Sequence, residues 1–391
     1  MTKTNNSIDA TWGAWHDPRL ISPPFAKQVM ESDIQGVEVV FPCPKLAESL
    51  SFFTERLGFR LDLIYPADCP SVAVLKGHGV CLRLQEGAEA PLSNLRLLCK
   101  NPTAFADGAS EIVAPNGTHI KIVEANPPVI LPPLQPSFVL QKMATDGGGW
   151  IAGRAGMLYR DLIPDRQGGR FIASHIKFPD GGPVPDYVHF HKIRFQMIYC
   201  YKGWVRVGYE DQGEPMTVRA GDCLLQPPEI RHRVFESSPG LEVVEISCPA
   251  EHETFADHNL ELPNSTVNLD RTFGGQHFVH HQALRATWHP WRSTGFEYRD
   301  IGIGNATDNL AGARVIRLSG VETQPSYQYF HNGEFLFLFV LQGEMTLSTE
   351  THGGRELSPG DCCVIPAQFR ASVTGTSTDL EFLEVSLPAF L

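Results

Sequence analysis

Several features that mark membrane, secreted and disulfide-bonded proteins are missing from this sequence of 391 residues. No apolar run approaches the roughly 20 residues needed to cross a bilayer. The first residues lack the basic start and the apolar core of a signal peptide. The nine cysteines include no C-x-x-C pair, so we expect free thiols in a reducing compartment. The expectation is a cytoplasmic protein without membrane contacts.

Basic residues are also in short supply. The chain has 32 Lys and Arg against 44 Asp and Glu, which gives a formal net charge of −12. Without a basic run there is no electrostatic footprint for a phosphate backbone, so a nucleic-acid partner is not expected. The 35 Gly and 30 Pro are spread along the chain, a pattern typical of short strands joined by turns. The composition therefore predicts a mainly β protein, and the length predicts two or three domains.

An internal repeat occupies the C-terminal two thirds of the chain, at an offset of 139–140 residues. Such repeats mark duplicated structural units. Each copy also contains a β-rich run with a central Gly turn, which predicts a hairpin. The matching segments are Tyr159–Asp161 with Tyr298–Asp300, Gly203 with Gly343, Gly221–Cys223 with Gly360–Cys362, Pro227 with Pro366, and EVVEISCPA (242–250) with EFLEVSLPA (381–389).

The first repeat carries a histidine pattern suited to metal binding. His189 and His191 are two residues apart, so on a strand both side chains share one face. Gln196 follows, and His232 comes after a Gly-Asp turn and Pro227. Three neutral imidazoles that converge inside a β-barrel would form an open site for a divalent transition metal.

These residues resemble the two motifs of the cupin superfamily, G(X)5HXH(X)3-4E(X)6G and G(X)5PXG(X)2H(X)3N. The departures are Gln196 for Glu, Glu229 for the second Gly, Glu236 for Asn, and one extra residue after Gly182. The resemblance implies jelly-roll β-barrels, with His189, His191 and His232 as metal ligands. In the second repeat the motif positions hold Tyr329, His331, Leu336 and Ala371, which predicts a barrel without a metal site.

Gln196 is the instructive departure from the motif. With three His ligands and no carboxylate, a divalent ion would keep a formal charge of about +2, which favours a substrate that chelates it as an anion or dianion. By analogy, three-His cupins such as the gentisate and β-diketone dioxygenases fit this logic, with ferrous iron. Gln196 itself is either a weak ligand or a residue that hydrogen-bonds a ligand or water. Arg194 and Tyr187, two residues before Gln196 and His189, are candidates for substrate binding.

The segment before the repeat has a different pattern. A strand (IQGVEVVFP), an amphipathic helix (LAESLSFFTERLGF) and three short strands follow in β-α-β-β-β order. Over residues 34–125 this resembles the vicinal-oxygen-chelate, or glyoxalase-like, module. The family's first-strand ligand position holds Gly36 or Val37 instead of His, and of its ligands only Glu124 has a counterpart, so the module is expected to be degenerate and metal-free.

The predicted fold class is mainly β, with two cupin domains preceded by a small α+β glyoxalase-like domain. The predicted boundaries are an N-terminal extension (1–33), the degenerate glyoxalase-like domain (34–126), a Pro-rich linker (127–150), cupin 1 with the metal site (151–250), a second linker (251–289) and the degenerate cupin 2 (290–391).

The function that these features favour is a metal-dependent cupin enzyme, namely a non-haem Fe(II) dioxygenase acting on a small anionic, chelating organic or aromatic hydroxy acid. The alternatives are a metal-dependent isomerase or lyase that uses the cation as a Lewis acid, and a non-catalytic small-molecule-binding bicupin. We expect one divalent transition metal per chain, Fe(II) first, with Mn, Ni, Cu and Zn as alternatives. By analogy with other paired cupins we expect a homodimer.

Overall fold

The computed structural model describes residues 34–87, 94–113, 119–143, 149–153, 156–320 and 325–390. The predicted N-terminal extension therefore lies outside the described residues. Contacts divide the chain into two units. One holds the described residues up to Phe59 together with Leu75–Pro128, and the other holds Arg60–Val74 together with Val129 and the described residues after it. No helix of the described residues is long and apolar enough to cross a membrane.

The described strands of the first 124 residues are β1 (Ile34–Cys43), β2 (Arg60–Tyr65), β3 (Val72–Gly77), β4 (Val80–Glu86), β5 (Asn94–Cys99), β6 (Glu111–Val113) and β7 (His119–Glu124). In the smaller unit, β1 lies between β4, to which it is parallel, and β5, to which it is antiparallel. β5 is in turn parallel to β7. The predicted helix is helix α1 (Leu46–Ser51), which continues into a π-helical turn (Phe52–Arg56), and a short helix α2 spans Pro102–Phe105. The strands and helix predicted here are present, whereas the glyoxalase-like assignment stays a prediction.

The first repeat and the segments beside it contain β8 (Val139–Gln141), β9 (Ile151–Ala152), β10 (Leu158–Asp161), β11 (Ile172–Phe178), β12 (Gly182–Pro183), β13 (His189–His191), β14 (Phe195–Lys202), β15 (Trp204–Tyr209), β16 (Met216–Arg219), β17 (Cys223–Leu225), β18 (His232–Ser237), β19 (Leu241–Cys248), β20 (Thr254–Ala256), β21 (Thr272–Phe273), β22 (Gln276–His277) and β23 (Val279–His281). A short helix α3 (Arg166–Gly169) and a 3-10 turn (Ala283–Arg285) complete this part.

The second repeat contains β24 (His289–Pro290), β25 (Phe296–Asp300), β26 (Gly312–Leu318), β27 (Tyr327–Tyr329), β28 (Phe335–Gln342), β29 (Met345–Thr349), β30 (Gly353–Leu357), β31 (Cys362–Val364), β32 (Ala371–Thr374) and β33 (Glu381–Leu387), with a short helix α4 at Ile303–Ala306. The mainly β character that the composition predicts is confirmed.

Each repeat is built from two sheets. In the first, the order β16-β15-β18-β13-β20-β2 forms one sheet and β23-β17-β14-β19-β11-β10-β9 forms the other. In the second, the sheets are β27-β32-β29-β30 and β24-β25-β26-β33-β28-β31-β8. We call these two-sheet bodies the first and second barrel. The strand β2, which the sequence analysis assigned to residues 34–126, pairs with β20 of the first barrel, Leu63 opposite Phe255.

The core between the barrels explains why some strands are apolar at every position. Along β28 (FLFLFVLQ), Phe335, Phe337 and Phe339 pack into a core shared by both barrels. The alternate residues, Leu336 and Leu338 among them, fill the interior of the second barrel. Because successive side chains of a strand point to opposite faces, a strand buried on both sides must be apolar throughout. β14 follows the same rule, except that Gln196 interrupts its inner face.

The barrels exchange their leading strands. β8 precedes the first barrel but pairs with β31 of the second, Cys362 opposite Gln141. β23 precedes the second barrel but pairs with β17 of the first, Cys223 opposite His281. Both segments begin with the dipeptide Phe-Val, at 138–139 and 278–279, one repeat length apart. The region predicted as the first linker thus supplies an edge strand to the second barrel, and the region predicted as the second linker supplies one to the first barrel.

Candidate metal centre

Strand alternation and register bring three histidines to one place in the first barrel. His189 and His191 lie two residues apart on β13 and share a face. His232 begins β18 and is the direct cross-strand partner of His189. All three are buried, and one ring nitrogen of each lies within 4.8 Å of the others. Among the described residues this is the one group of at least three His, Cys, Asp or Glu side chains close enough to hold a metal ion.

Hydrogen bonds to the backbone fix which ring nitrogen carries the proton. Nδ1 of His189 lies 2.8 Å from the carbonyl oxygen of Tyr187, and Nδ1 of His232 lies 3.0 Å from that of Ile230. A carbonyl oxygen only accepts, so each Nδ1–H donates, and Nε2 of the neutral ring keeps its lone pair. Metal-ligating histidines are held in this way by their second nitrogen.

A side chain performs the same task for His191. Its Nδ1 lies 2.9 Å from Oγ1 of Thr254, the residue directly opposite it on β20. The hydroxyl can accept from Nδ1–H, which gives the third ring the same protonation as the other two. Three imidazoles that each present Nε2 fit Fe(II), Zn(II), Cu(II) or Ni(II), and the donor set does not select among them. The first barrel therefore contains three histidines that are placed and protonated so that they could hold one metal ion.

A chain of buried hydrogen bonds runs along the cluster. The hydroxyl of Tyr209 donates to Oε1 of Gln226 at 2.6 Å, and Nε2 of Gln226 lies 2.9 Å from Oε1 of Gln196 and 3.1 Å from Nε2 of His232. Nε2 of Gln196 in turn donates to Oε1 of Glu245 at 3.0 Å. Because an amide nitrogen only donates, the contact with His232 agrees with an unprotonated Nε2 on that ring. A metal ion bound to this nitrogen would replace the hydrogen bond from Gln226. The chain links a carboxylate to the histidine cluster through two amides.

The three histidines open into a cavity of about 100 Å³ inside the first barrel. Its polar wall consists of the histidines and the hydrogen-bonded side chains just described. Neither lysine nor arginine is among the described residues that line it. The rest of the wall is apolar or aromatic: Met157, Tyr159, Ile176, Phe178, Ile198, Val205, Val207, Leu224, Val234, Leu241 and Val243.

The structure brings Gln196 to the cluster but not the two predicted substrate-binding residues. Arg194 precedes β14, so strand alternation does not extend to it, and its guanidinium lies 3.0 Å from both carboxylate oxygens of Glu334 in the second barrel. Tyr187 holds His189 through its backbone carbonyl, and its ring packs edge-on against that imidazole. Neither residue lines the cavity. Their binding roles stay predictions without support from this geometry.

Two polar cavity residues, Gln226 and Glu245, are not among those predicted from the sequence. Gln226 directly follows β17, and its backbone N–H donates to the carbonyl of Gln196, which places the two amides side by side. Glu245 lies on β19, two strand positions from a buried valine. A signal was present, because a carboxylate within the mostly apolar stretch VVEISC is unusual for a strand buried in a core.

The second barrel has replaced the polar site with apolar packing. Leu336 and Ile365, which share the backbone hydrogen bond equivalent to that of Gln196 and Gln226, are buried in its core, as is Ala371. Tyr329 pairs with Ala371 just as His189 pairs with His232. His331 is held between the carbonyl of Ile365 and the N–H of Gly333.

The carboxylate on the wall of the metal cavity has a counterpart in the second barrel. Glu384 is the repeat equivalent of Glu245 and lies buried in the second barrel. It accepts from the hydroxyl of Tyr329 at 2.8 Å and pairs with Arg314 at 3.3 Å. In the second barrel a guanidinium thus supplies the positive charge beside this carboxylate.

A smaller polar pocket adjoins the metal cavity behind His191. Asp68, Ser174, His191, Glu245 and His252 contribute polar groups to it. Burial lowers the pKa of His252, whose Nε2 has no hydrogen-bond partner among the described residues.

Comparisons with known proteins give similarities of fold only. No protein-family model and no curated protein matches the chain. Among solved structures, protein YlbA from E. coli is similar with a TM-score of 0.47 and 11% identity over 67% of this chain and 94% of that one. Oxalate decarboxylase from Lactobacillus farciminis has a TM-score of 0.46 and 14% identity, over 66% of this chain and 90% of that one. Salicylate 1,2-dioxygenase from Pseudaminobacter salicylatoxidans has a TM-score of 0.46 and 15% identity, over 66% of this chain and 86% of that one.

Proposed function

We propose that this chain is a metal-dependent cupin enzyme, a non-haem Fe(II) dioxygenase that acts on a small anionic, chelating organic or aromatic hydroxy acid. The observation that carries the proposal is the convergence of three uncharged imidazoles on one cavity whose remaining wall is largely apolar. A ferrous ion held by His189, His191 and His232 would supply positive charge for an anionic substrate and an electron source for dioxygen.

The chain's own residues prepare the cavity for such a substrate. The carbonyls of Tyr187 and Ile230 and the hydroxyl of Thr254 hold the three rings in place before any ligand arrives. The apolar wall excludes water, which strengthens electrostatic attraction inside the cavity. Residues held by backbone and buried side chains lose little freedom on binding, so the site is preorganised.

A second candidate function is an isomerase or lyase, and Glu245 is the observation that favours it. A carboxylate on the wall of the metal cavity can accept a proton from a carbon next to a carbonyl while the cation stabilises the enolate. A dioxygenase consumes oxygen with its substrate. An isomerase would instead exchange substrate hydrogen with D2O and leave oxygen unchanged.

The test is metal content and oxygen uptake on matched variants. Protein loaded with Fe(II) without oxygen is analysed for metal and then assayed with salicylate, gentisate and other hydroxy acids. We expect about one metal per chain in the wild type and in His331→Gln, and none in His232→Ala, with oxygen uptake only where metal is present. Retention of metal by His232→Ala would contradict the site. Hydrogen exchange without oxygen uptake would favour the second function.

The homodimer, the cytoplasmic location, the absence of a nucleic-acid partner and the degenerate glyoxalase-like module stay predictions. Size-exclusion chromatography with light scattering addresses the first of them directly.

A further inference from the structure

The charge of the metal cavity differs from what the histidines alone would give. Glu245 lines the same cavity as the three imidazoles and accepts hydrogen bonds from Nε2 of Gln196 at 3.0 Å and from Oγ of Ser247 at 3.3 Å. Two donors of this kind stabilise a carboxylate in its ionised form. The motif position of the usual acidic ligand holds a neutral amide, but that amide binds an acidic side chain on the neighbouring strand.

The carboxylate of Asp186, 3.5 Å from Nδ1 of His189, lies behind that ring and does not line the cavity. We propose that Glu245 lowers the charge of the groups lining the metal-loaded cavity from +2 to near +1, and that the first barrel therefore selects singly charged chelating ligands over doubly charged ones. This inference deepens the proposed function and rests on its metal site. It also revises the expectation from Gln196 alone, in which the site kept a charge of +2 and a dianion was equally acceptable.

The cavity wall makes the selection sharp. A singly charged chelator neutralises a site of charge +1, whereas a dianion leaves one negative charge in excess. The described residues lining the cavity include no lysine or arginine to pair with that charge, and apolar side chains face most of the ligand. An uncompensated charge is disfavoured strongly when it lies in a low-dielectric cavity.

The second barrel shows how this fold compensates the same carboxylate when no metal cluster is present in the described residues. Glu384, equivalent to Glu245, is paired with the guanidinium of Arg314 at 3.3 Å, and Arg292 lies at 3.6 Å. At the equivalent position of the first barrel, the three-His site places the charge of a metal ion in the cavity that Glu245 lines. On this proposal, equivalent carboxylates face different cations in the two barrels: Glu384 faces Arg314, and Glu245 faces the metal ion.

The experiment compares the affinities of two chelating probes for protein loaded with Co(II). Binding of each probe is measured from the change in the visible spectrum of the metal. Tropolone binds metals as a monoanion and oxalate as a dianion. For each variant we measure the ratio of the oxalate Kd to the tropolone Kd, which cancels changes in the metal content. Glu245→Gln should lower this ratio at least tenfold, because the site gains one positive charge.

Two further variants control for structure. Glu245→Asp keeps the charge and should keep the ratio within about threefold of the wild type. Glu253→Gln removes a half-buried carboxylate that lines neither cavity and should leave the ratio within twofold. An unchanged ratio in Glu245→Gln, or an equal shift in Glu253→Gln, would overturn the inference. If Glu245→Gln fails to fold, Glu245→Ser, which removes the same charge, decides it by the same tenfold criterion.

The outcomes also separate this inference from the proposed function. Wild-type protein that binds no metal would overturn both. Protein that binds Co(II), prefers tropolone and shifts as described, yet takes up no oxygen as the Fe(II) form, would support the charge assignment and remove the dioxygenase.

Discussion

The hydrogen bond between His191 and Thr254 offers the sharpest test of how the metal site is held. Two of the three rings are fixed by backbone carbonyls, which substitution cannot remove, but His191 is fixed by a side chain. Thr254→Val keeps the shape of the residue and deletes only the hydroxyl. The expected result is metal affinity 10- to 100-fold weaker, the usual effect of removing a group that orients a ligating histidine.

The magnitude agrees with an independent argument from burial. Thr254 is about 1% exposed, so water cannot replace the lost acceptor. When Nε2 of His191 binds metal, Nδ1–H is left without a partner, or the ring must take the tautomer that cannot bind. An unsatisfied buried donor costs about 1–3 kcal/mol. At about 1.4 kcal/mol for each tenfold change in affinity, this corresponds to a loss of about 5- to 140-fold, which spans the 10- to 100-fold range.

The assay is a competition titration of Co(II) or Zn(II) against a chelating indicator at neutral pH. Thr254→Ser restores a hydroxyl and should bind within about threefold of the wild type. Thr217→Val, on β16 and outside the metal cavity, should leave the affinity unchanged. Wild-type affinity in a folded Thr254→Val protein would refute the argument that this hydroxyl determines the state of the ring.

Three other predictions concern the surrounding structure. Tyr209→Phe deprives buried Gln226 of a 2.6 Å hydrogen bond and should lower the free energy of unfolding, measured in urea, by about 1–3 kcal/mol. Burial and the charge of Arg299 lower the pKa of His281 to about 4, whereas the unfolded chain takes up this proton near 6.5. Solvent screens this half-buried ring, so the free energy of unfolding should fall by about 1–2 kcal/mol between pH 6.5 and 4, and by less in His281→Gln, as urea unfolding at both pH values will show. Arg194→Ala removes an ion pair between the barrels and should lower the melting temperature, while the Kd of tropolone stays within twofold of the wild type. A large loss of tropolone binding would instead show that this arginine contributes to ligand binding.

The sequence was sufficient for the histidines because their placement depends on local geometry. Side chains two residues apart on a strand share a face whatever the rest of the fold is, which places His189 and His191 together. The position of His232 follows from a turn and a proline at fixed spacing before it. The same rule fails for Arg194, because the strand begins one residue later and the chain before it does not alternate.

The residues that were missed depend on pairing between distant strands. Gln226 and Glu245 meet Gln196 only because β17 and β19 flank β14 in one sheet. Such registers are determined by the packing of whole sheets, which the sequence of one strand does not reveal. The edge strands β8 and β23 lie in regions whose sequence predicts linkers, because a three-residue strand has no periodicity to detect.

The exchange of β8 and β23 has a consequence for the history of the chain after its duplication. Each barrel covers a sheet edge with a segment that leads into the other copy, so neither copy can be lost without exposing an edge strand prone to aggregation. Selection on solubility would then preserve both copies even when only one performs chemistry. The second copy would then be kept for the strand it accepts and the core it shares, whether or not it binds a metal.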